Sequence, residues 1–132
     1  MTPALFWLAA TLVLAIVYIM APAFVRTQRL GTKWNAGPRD STPDPGAVAG
    51  RLARAQANLF ETLPLIIGAV LIAHLVNADA ALTTLGIQLY FWARVIYLPL
   101  YGFGVPYLRS LAWVACLVGL GIVIYAVFTA PA

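Results

Sequence analysis

The first 25 residues of the chain contain no charged side chain, and the run from Pro3 to Val25 is almost entirely apolar. A helix of this length spans the hydrocarbon core of a bilayer, which is about 30 Å thick. Charged residues make up only 9% of the chain and hydrophobic residues 63%, whereas soluble domains carry about 25% charged residues. The chain lacks the polar surface of a soluble domain, so we expect lipid to be its solvent.

A secretory signal peptide is the alternative interpretation of this first run, because Ala21, Pro22 and Ala23 resemble a cleavage site. However, no lysine or arginine precedes the run, and it is longer than the apolar region of a signal peptide. The basic residues follow the run instead. We therefore expect a retained transmembrane helix.

Three more apolar segments follow, and they predict three further transmembrane helices. Asp44 followed by Pro45 is typical of a helix start, and Asp79 is a suitable cap for the third helix. The expected fold class is an all-α integral membrane protein, a four-transmembrane-helix bundle in a single domain that covers residues 1–132. The predicted helices cover about residues 3–25, 45–76, 80–101 and 107–128, and residues 26–44 are a predicted loop.

The basic residues determine the predicted orientation. Six of the eight lie between Arg26 and Arg54. They flank apolar helices rather than a soluble fold, so we expect a membrane-protein loop and no nucleic acid partner. The turn around Asp79 has no basic residue, and Arg109 begins the fourth helix at the same membrane side as the loop. The positive-inside rule then predicts a cytoplasmic loop and both termini outside.

One face of the second predicted helix carries two guanidinium groups, an amide and a carboxylate. At about 100° per residue, the four side chains fall within an arc of roughly 80°. Ionisable groups in membrane helices are costly and are candidates for function. These four residues are Arg51, Arg54, Asn58 and Glu61.

The third predicted helix presents a comparable face near the same membrane surface, within an arc of about 60°. Arg109 begins the fourth helix at the same depth. Glu61 pairing with an arginine only for neutralisation is the simpler interpretation, but net positive charge remains after such pairing. An anionic ligand is therefore expected, held by arginine forks. The residues of the third helix are Tyr90, Arg94, Tyr97 and Tyr101.

Two other residues with reactive side chains stand apart from this group. His74 lies about 20 Å along the helix axis from Glu61 and belongs to the outer interface. Cys116 lies in an apolar run and is expected to pack as a small hydrophobic residue. We find no spacing typical of a metal site and expect no metal.

Three segments resemble the MAPEG family, the membrane-associated proteins in eicosanoid and glutathione metabolism. Arg51–Pro64, RLARAQANLFETLP, is similar to the signature of the family's second helix. Arg94–Tyr101, RVIYLPLY, and Pro106–Trp113, PYLRSLAW, are also similar, especially to bacterial members. The resemblance implies a homotrimer in a bacterial inner membrane, with active sites between subunits that open to the cytoplasm.

The resemblance also implies glutathione as co-substrate and a lipophilic small molecule as second substrate. Arg109 stands where the family places the arginine that stabilises the glutathione thiolate. The expected function is that of a glutathione-dependent membrane transferase or peroxidase. The candidate glutathione ligands are Arg51, Arg54, Asn58, Glu61, Arg94, Tyr97 and Tyr101.

The chemistry also has a physical basis that is independent of the resemblance. A free thiol has a pKa of about 8.5, so little of it is thiolate at neutral pH. A fixed guanidinium beside the sulfur favours the anion, and each unit by which the pKa falls corresponds to about 1.4 kcal/mol. Electrophiles dissolved in lipid would reach the sulfur from the side.

Two other functions remain open from the sequence. One is a non-catalytic lipid- or ligand-binding membrane protein of the same fold. The other is a small proton-coupled multidrug exporter, which is also a four-helix chain with one membrane glutamate. An exporter requires Glu61 to be unpaired near the bilayer centre, and the basic loop face disfavours cationic substrates.

Overall fold

The computed structural model describes residues 1–131, which contain five helices and no strand. The all-α fold class is therefore confirmed for this part of the chain. Four helices are long, and one short helix lies in the segment predicted as a loop. The helices are α1 (Pro3–Leu30), α2 (Thr32–Ala36), α3 (Ala47–Leu75), α4 (Ala80–Gly102) and α5 (Pro106–Phe128).

The short helix α2 forms around Trp34, whose ring lies between two arginine side chains. The Arg26 and Arg39 guanidinium carbons are 6.0 and 5.7 Å from the ring centroid. The indole Nε1 donates a hydrogen bond to the carbonyl oxygen of Ser41 at 3.0 Å. This segment therefore folds back on itself. Its glycine and proline residues predicted an irregular loop instead.

The start of α3 lies two residues after the predicted start at Pro45. Gly46 has φ +87°, a left-handed conformation that ends the preceding segment and that glycine adopts readily. The Asp44 carboxylate accepts a hydrogen bond from the Gly46 backbone N–H at 2.8 Å, so it stabilises the turn before the helix. Asp79 caps α4 as predicted, accepting from the Leu82 N–H at 2.8 Å.

Helices α4 and α5 make the closest contact in the bundle, where two glycines face each other. A Cβ added to Gly86 would lie 2.7 Å from the Gly119 carbonyl oxygen, and one added to Gly119 would lie 2.6 Å from the Gly86 carbonyl oxygen. No side chain fits at either position without separating the backbones. Small residues allow such close packing of membrane helices.

Three helices, α1, α3 and α5, are long and apolar enough to cross a membrane. Helix α4 has 23 residues but is less apolar, since it carries Gln88, Arg94 and three tyrosines. Large apolar side chains cover the outside of the bundle; for example, Val13 is 63% exposed and Leu111 is 65% exposed. Such a surface requires lipid or another apolar partner.

The loop between α1 and α3 and the short turn between α4 and α5 lie at one end of the bundle. We call this end the basic face; it comprises residues 26–54 and 102–109 and carries seven of the eight basic residues. The turn between α3 and α4 lies at the opposite end. There His74 lines a cavity with Thr2 and Asn77, which places it away from the other candidate residues.

Candidate functional site

The side chain of Arg94 points into the bundle and is fully buried. Its Nη1 donates a hydrogen bond to Asn58 Oδ1, and its Nη2 donates to Thr62 Oγ1, each at 2.7 Å. The guanidinium carbon lies 5.6 Å from the Tyr90 ring centroid and 5.2 Å from that of Tyr97. This buried cation is therefore held by neutral polar groups and aromatic faces.

Further hydrogen bonds connect this network to other parts of the bundle. The hydroxyls of Tyr90 and Thr62 share a hydrogen bond of 2.8 Å. The Tyr18 hydroxyl of α1 donates to the Arg94 carbonyl oxygen at 2.7 Å. Cys116 of α5 is fully buried beside Arg94 and Thr62. The network thus joins α1, α3 and α4 and lies against α5.

An open cavity of about 220 Å³ lies between α3, α4 and α5, next to this network. We call it the Arg109 cavity. The Tyr97 and Tyr101 rings pack edge to face with centroids 5.4 Å apart. The Arg109 guanidinium carbon lies 4.6 Å from the Tyr101 ring centroid. The cavity is lined by Asn58, Tyr97, Tyr101, Arg109, Ser110 and Trp113.

Asn58 connects the buried network to the cavity. Its Oδ1 accepts from the Arg94 guanidinium, and its Nδ2 donates to Glu61 Oε2 at 3.4 Å. The bond to the cation determines which end of the amide is the acceptor, so Nδ2 is directed toward Glu61. Arg94 therefore orients an amide that lines the cavity.

The Arg109 cavity combines a cation, two phenol rings and an amide near the basic face. Arg109 belongs to the first turn of α5, which begins at Pro106, and the start of a helix carries partial positive charge. The guanidinium and the start of the helix therefore both favour an anion at this end of α5. The site is suited to a small anionic ligand with polar groups.

The sequence profile of the MAPEG family matches residues 7–129, nearly the whole chain. The chain belongs to the MAPEG family. No curated protein matches it significantly. The family includes glutathione transferases and peroxidases. Together with the three apolar helices, membership establishes that the chain is an integral membrane protein.

Four of the eight predicted site residues of this MAPEG chain line the Arg109 cavity, namely Asn58, Tyr97, Tyr101 and Arg109. Arg94 lies behind them in the bundle, and Glu61 is exposed beside Asn58. The alternative interpretation, in which Glu61 pairs with an arginine only for neutralisation, is not met by Arg94, because its guanidinium is directed to Asn58 and Thr62 instead.

The two arginines at the start of α3 lie outside the Arg109 cavity of this MAPEG chain. Arg54 is exposed, with its Nη1 3.6 Å from the position of a Cβ on Gly50. Arg51 is half-buried, and its Nε donates to the Gly102 carbonyl oxygen at 2.9 Å. Although they share a helical face, the two side chains therefore have different surroundings.

Sequence reasoning did not assign four residues that the structure places in or near the site: Tyr18, Thr62, Ser110 and Trp113. Thr62 follows Asn58 by one helical turn and so shares its face, which is a signal that the spacing contained. Ser110 and Trp113 lie in the segment that resembles the MAPEG family. Tyr18 gave no signal, because it lies in an uncharged apolar run.

Proposed function

We propose that this MAPEG protein is a glutathione-dependent membrane transferase or peroxidase that acts on lipophilic electrophiles. The observation that carries the proposal is the Arg109 cavity, in which a guanidinium, two tyrosines and an oriented asparagine face the same space. Glutathione is a small anionic peptide with two carboxylates, an ammonium group and a thiol. Its groups match the chemistry of these side chains.

In this proposal α3 holds the peptide and α5 activates it. Arg54 forms a charge-assisted bond to a glutathione carboxylate, and Glu61 binds its ammonium group. Asn58 and the hydroxyls of Tyr97 and Tyr101 bind amide and carboxylate groups. The thiol then lies near Arg109, which stabilises the thiolate. Arg94 is a positioning residue that acts through Asn58, since its buried guanidinium is already bonded within the bundle.

The thiolate sulfur attacks the electrophilic carbon of a substrate that enters from lipid. A sulfur–carbon bond forms, and the bond to the leaving group breaks with its electron pair. Water is excluded from the lipid side of the cavity, which strengthens the interaction between the guanidinium and the sulfur. With a lipid hydroperoxide as substrate, the thiolate sulfur attacks the outer peroxide oxygen, the oxygen–oxygen bond breaks, and the lipid takes up a proton and leaves as its alcohol. A second glutathione then converts the glutathione sulfenic acid to glutathione disulfide and water.

We further propose that the active form is a homotrimer with four transmembrane helices per subunit, including α4. The family resemblance supports this assembly. Apolar side chains of α3, such as Leu65 and Ile72, are also exposed in the single chain, and a neighbouring subunit would bury them. A neighbouring subunit at this surface would bring its own polar groups near Arg54 and Glu61, which are exposed in the single chain.

Glutathione binding tests the proposed site directly. Arg54→Ala and Glu61→Ala are each expected to weaken glutathione binding by about 2–5 kcal/mol, because each leaves without its partner a charged group of the peptide that is buried between subunits in the proposed trimer. Isothermal titration calorimetry of the purified protein in detergent measures the change. Arg39→Ala is the control: it removes an exposed arginine that hydrogen-bonds to Asn35 and packs on Trp34, away from α3, and it should retain affinity.

Unchanged affinity in both α3 variants would remove the proposed binding mode. Glutathione binding without turnover of any electrophile or hydroperoxide would instead favour the non-catalytic alternative of the same fold.

The proposed orientation places the basic face in the cytoplasm and both termini outside. We expect Asn35→Cys to react with a membrane-impermeant maleimide only after the cytoplasmic side is opened, and Ala78→Cys to react from the outside. Cys116 is buried, so it contributes little background labelling. Labelling of Asn35→Cys from the outside alone would contradict this topology.

A further inference from the structure

A second cavity, of about 430 Å³, lies at the basic face between α1, α3 and α4. We call it the Arg51 groove. Its walls are apolar and come from Ala21, Val48, Leu52, Leu98 and Phe103, while Arg51 supplies the charge. Val48 is 44% exposed and Phe103 is 84% exposed. The groove is therefore open at the side of the bundle, where lipid surrounds the helices.

Arg51 is fixed in this groove by the turn between α4 and α5. Its Nε donates to the Gly102 carbonyl oxygen at 2.9 Å. Gly104 has φ +74°, and a Cβ there would lie 3.6 Å from the guanidinium carbon, so the turn packs closely around the side chain. Among residues 1–131, the Arg51 Nη groups make no hydrogen bond. The guanidinium is thus oriented but keeps donors for a ligand.

The Arg51 groove is separate from the Arg109 cavity. The two share no lining residue. They lie on different sides of α4, since one opens toward α5 and the other toward α1. A ligand of the Arg51 groove therefore does not rest on the proposed function.

One further arginine and one acid lie at the turn before α3. Arg29 near the end of α1 packs on Gly46, with its guanidinium carbon 3.0 Å from the position of a Cβ there. Gly46 precedes Arg51 by little more than one helical turn. The acid nearest in sequence, Asp44, accepts a hydrogen bond from the Gly46 N–H. The groove thus has apolar walls, and Arg51 is the one charged residue that the described chain contributes to its lining, at the basic face.

We propose that the Arg51 groove binds an anionic phospholipid, with one acyl chain along the apolar walls and the phosphate on the Arg51 guanidinium. A guanidinium binds phosphate with two parallel hydrogen bonds and is more weakly hydrated than an ammonium group. Basic pockets between membrane helices are suited to anionic lipid headgroups. The occupant is a lipid rather than free phosphate, because most of the lining is apolar.

Native mass spectrometry of the detergent-solubilised protein tests this site. Phosphatidylglycerol and phosphatidylcholine with identical acyl chains are titrated separately. We expect phosphatidylglycerol to bind at least about tenfold more tightly, and Arg51→Gln to abolish this preference. Arg54→Gln is the matched control, because it removes the same charge from the same helix outside the groove. It should retain the preference.

A second variant tests the apolar part of the groove without changing Arg51. Val48→Trp fills the open side and should weaken phosphatidylglycerol binding by at least about tenfold. Val114→Trp introduces the same side chain at an exposed position of α5 that lines neither cavity and should leave binding unchanged.

Four outcomes would overturn the assignment. Three are equal binding of the two lipids, equal losses in Arg51→Gln and Arg54→Gln, and full binding in Val48→Trp. The fourth is binding of soluble glycerol phosphate as tightly as phosphatidylglycerol, which would identify a phosphate site and not a lipid site.

Discussion

Arg109→Ala is expected to slow glutathione conjugation of a lipophilic electrophile at neutral pH by about 10²–10³-fold, with glutathione affinity largely retained. The guanidinium lines the cavity next to Tyr101, whereas the peptide is held mainly from α3. Its removal takes away the charge that favours the thiolate, so the pKa of the bound thiol rises. Less thiolate is then present at neutral pH.

The ultraviolet absorbance of the thiolate, titrated against pH with bound glutathione, measures this pKa directly. Arg109→Lys is the matched control, since it keeps the charge but loses the planar fork; it should restore part of the rate. A titration curve that is identical in wild type and Arg109→Ala would refute the role. Tyr97 or Tyr101 would then be the better candidate for activating the thiol.

Gly119→Ala is expected to destabilise the protein by about 1–3 kcal/mol. The new methyl group would lie 2.6 Å from the Gly86 carbonyl oxygen and 2.7 Å from the Tyr90 backbone nitrogen. Neither atom belongs to a flexible side chain, so α4 and α5 must separate. Unfolding of the detergent-solubilised protein, followed by circular dichroism, measures the loss.

Gly121→Ala supplies the comparison on the same helix. Nothing lies within 4 Å of a Cβ at that position. Alanine is the better helix former, by about 1 kcal/mol in water, so this variant should be neutral or slightly more stable. If Gly119→Ala were as stable as Gly121→Ala, the close contact between the helices would not be a source of stability.

The long helices follow directly from the apolar runs, and the cap at Asp79 follows from its position before the third run. The end of α1 was not predicted, because residues 26–30 continue the helix with polar side chains. Helix α2 was missed for a different reason. Its five residues are too few for a periodic pattern, and it is stabilised by contacts of Trp34 with arginines on either side.

The helical faces that carry the candidate residues were predictable from the sequence, but not which of these side chains line the same cavity. Helical spacing placed Arg51 with Arg54, and Arg94 with Tyr97 and Tyr101. Helical spacing shows only which residues share a face of one helix. The contacts of a long side chain also depend on the residues of the neighbouring helix. Arg94 meets Thr62 and Asn58 and becomes buried, whereas Arg51 reaches the Gly102 carbonyl oxygen.

Gly119 illustrates the same limit. It lies against the backbone of α4 in the structure. The partner, Gly86, was not identified, since a single glycine in a helix carries no spacing signal.

The buried guanidinium of Arg94 has a consequence for the way in which the chain enters a membrane. An arginine near the middle of a transmembrane helix costs about 2.5–3.5 kcal/mol during insertion. Helix α4 also lacks the apolarity of the other three long helices, so it has little to offset this cost alone. The hydrogen-bond partners of Arg94 belong to α3, which is made earlier. In the proposed four-helix topology, synthesis makes the hydrogen-bond acceptors on α3 before the Arg94 cation, and α4 would enter the lipid as the partner of a helix already in place.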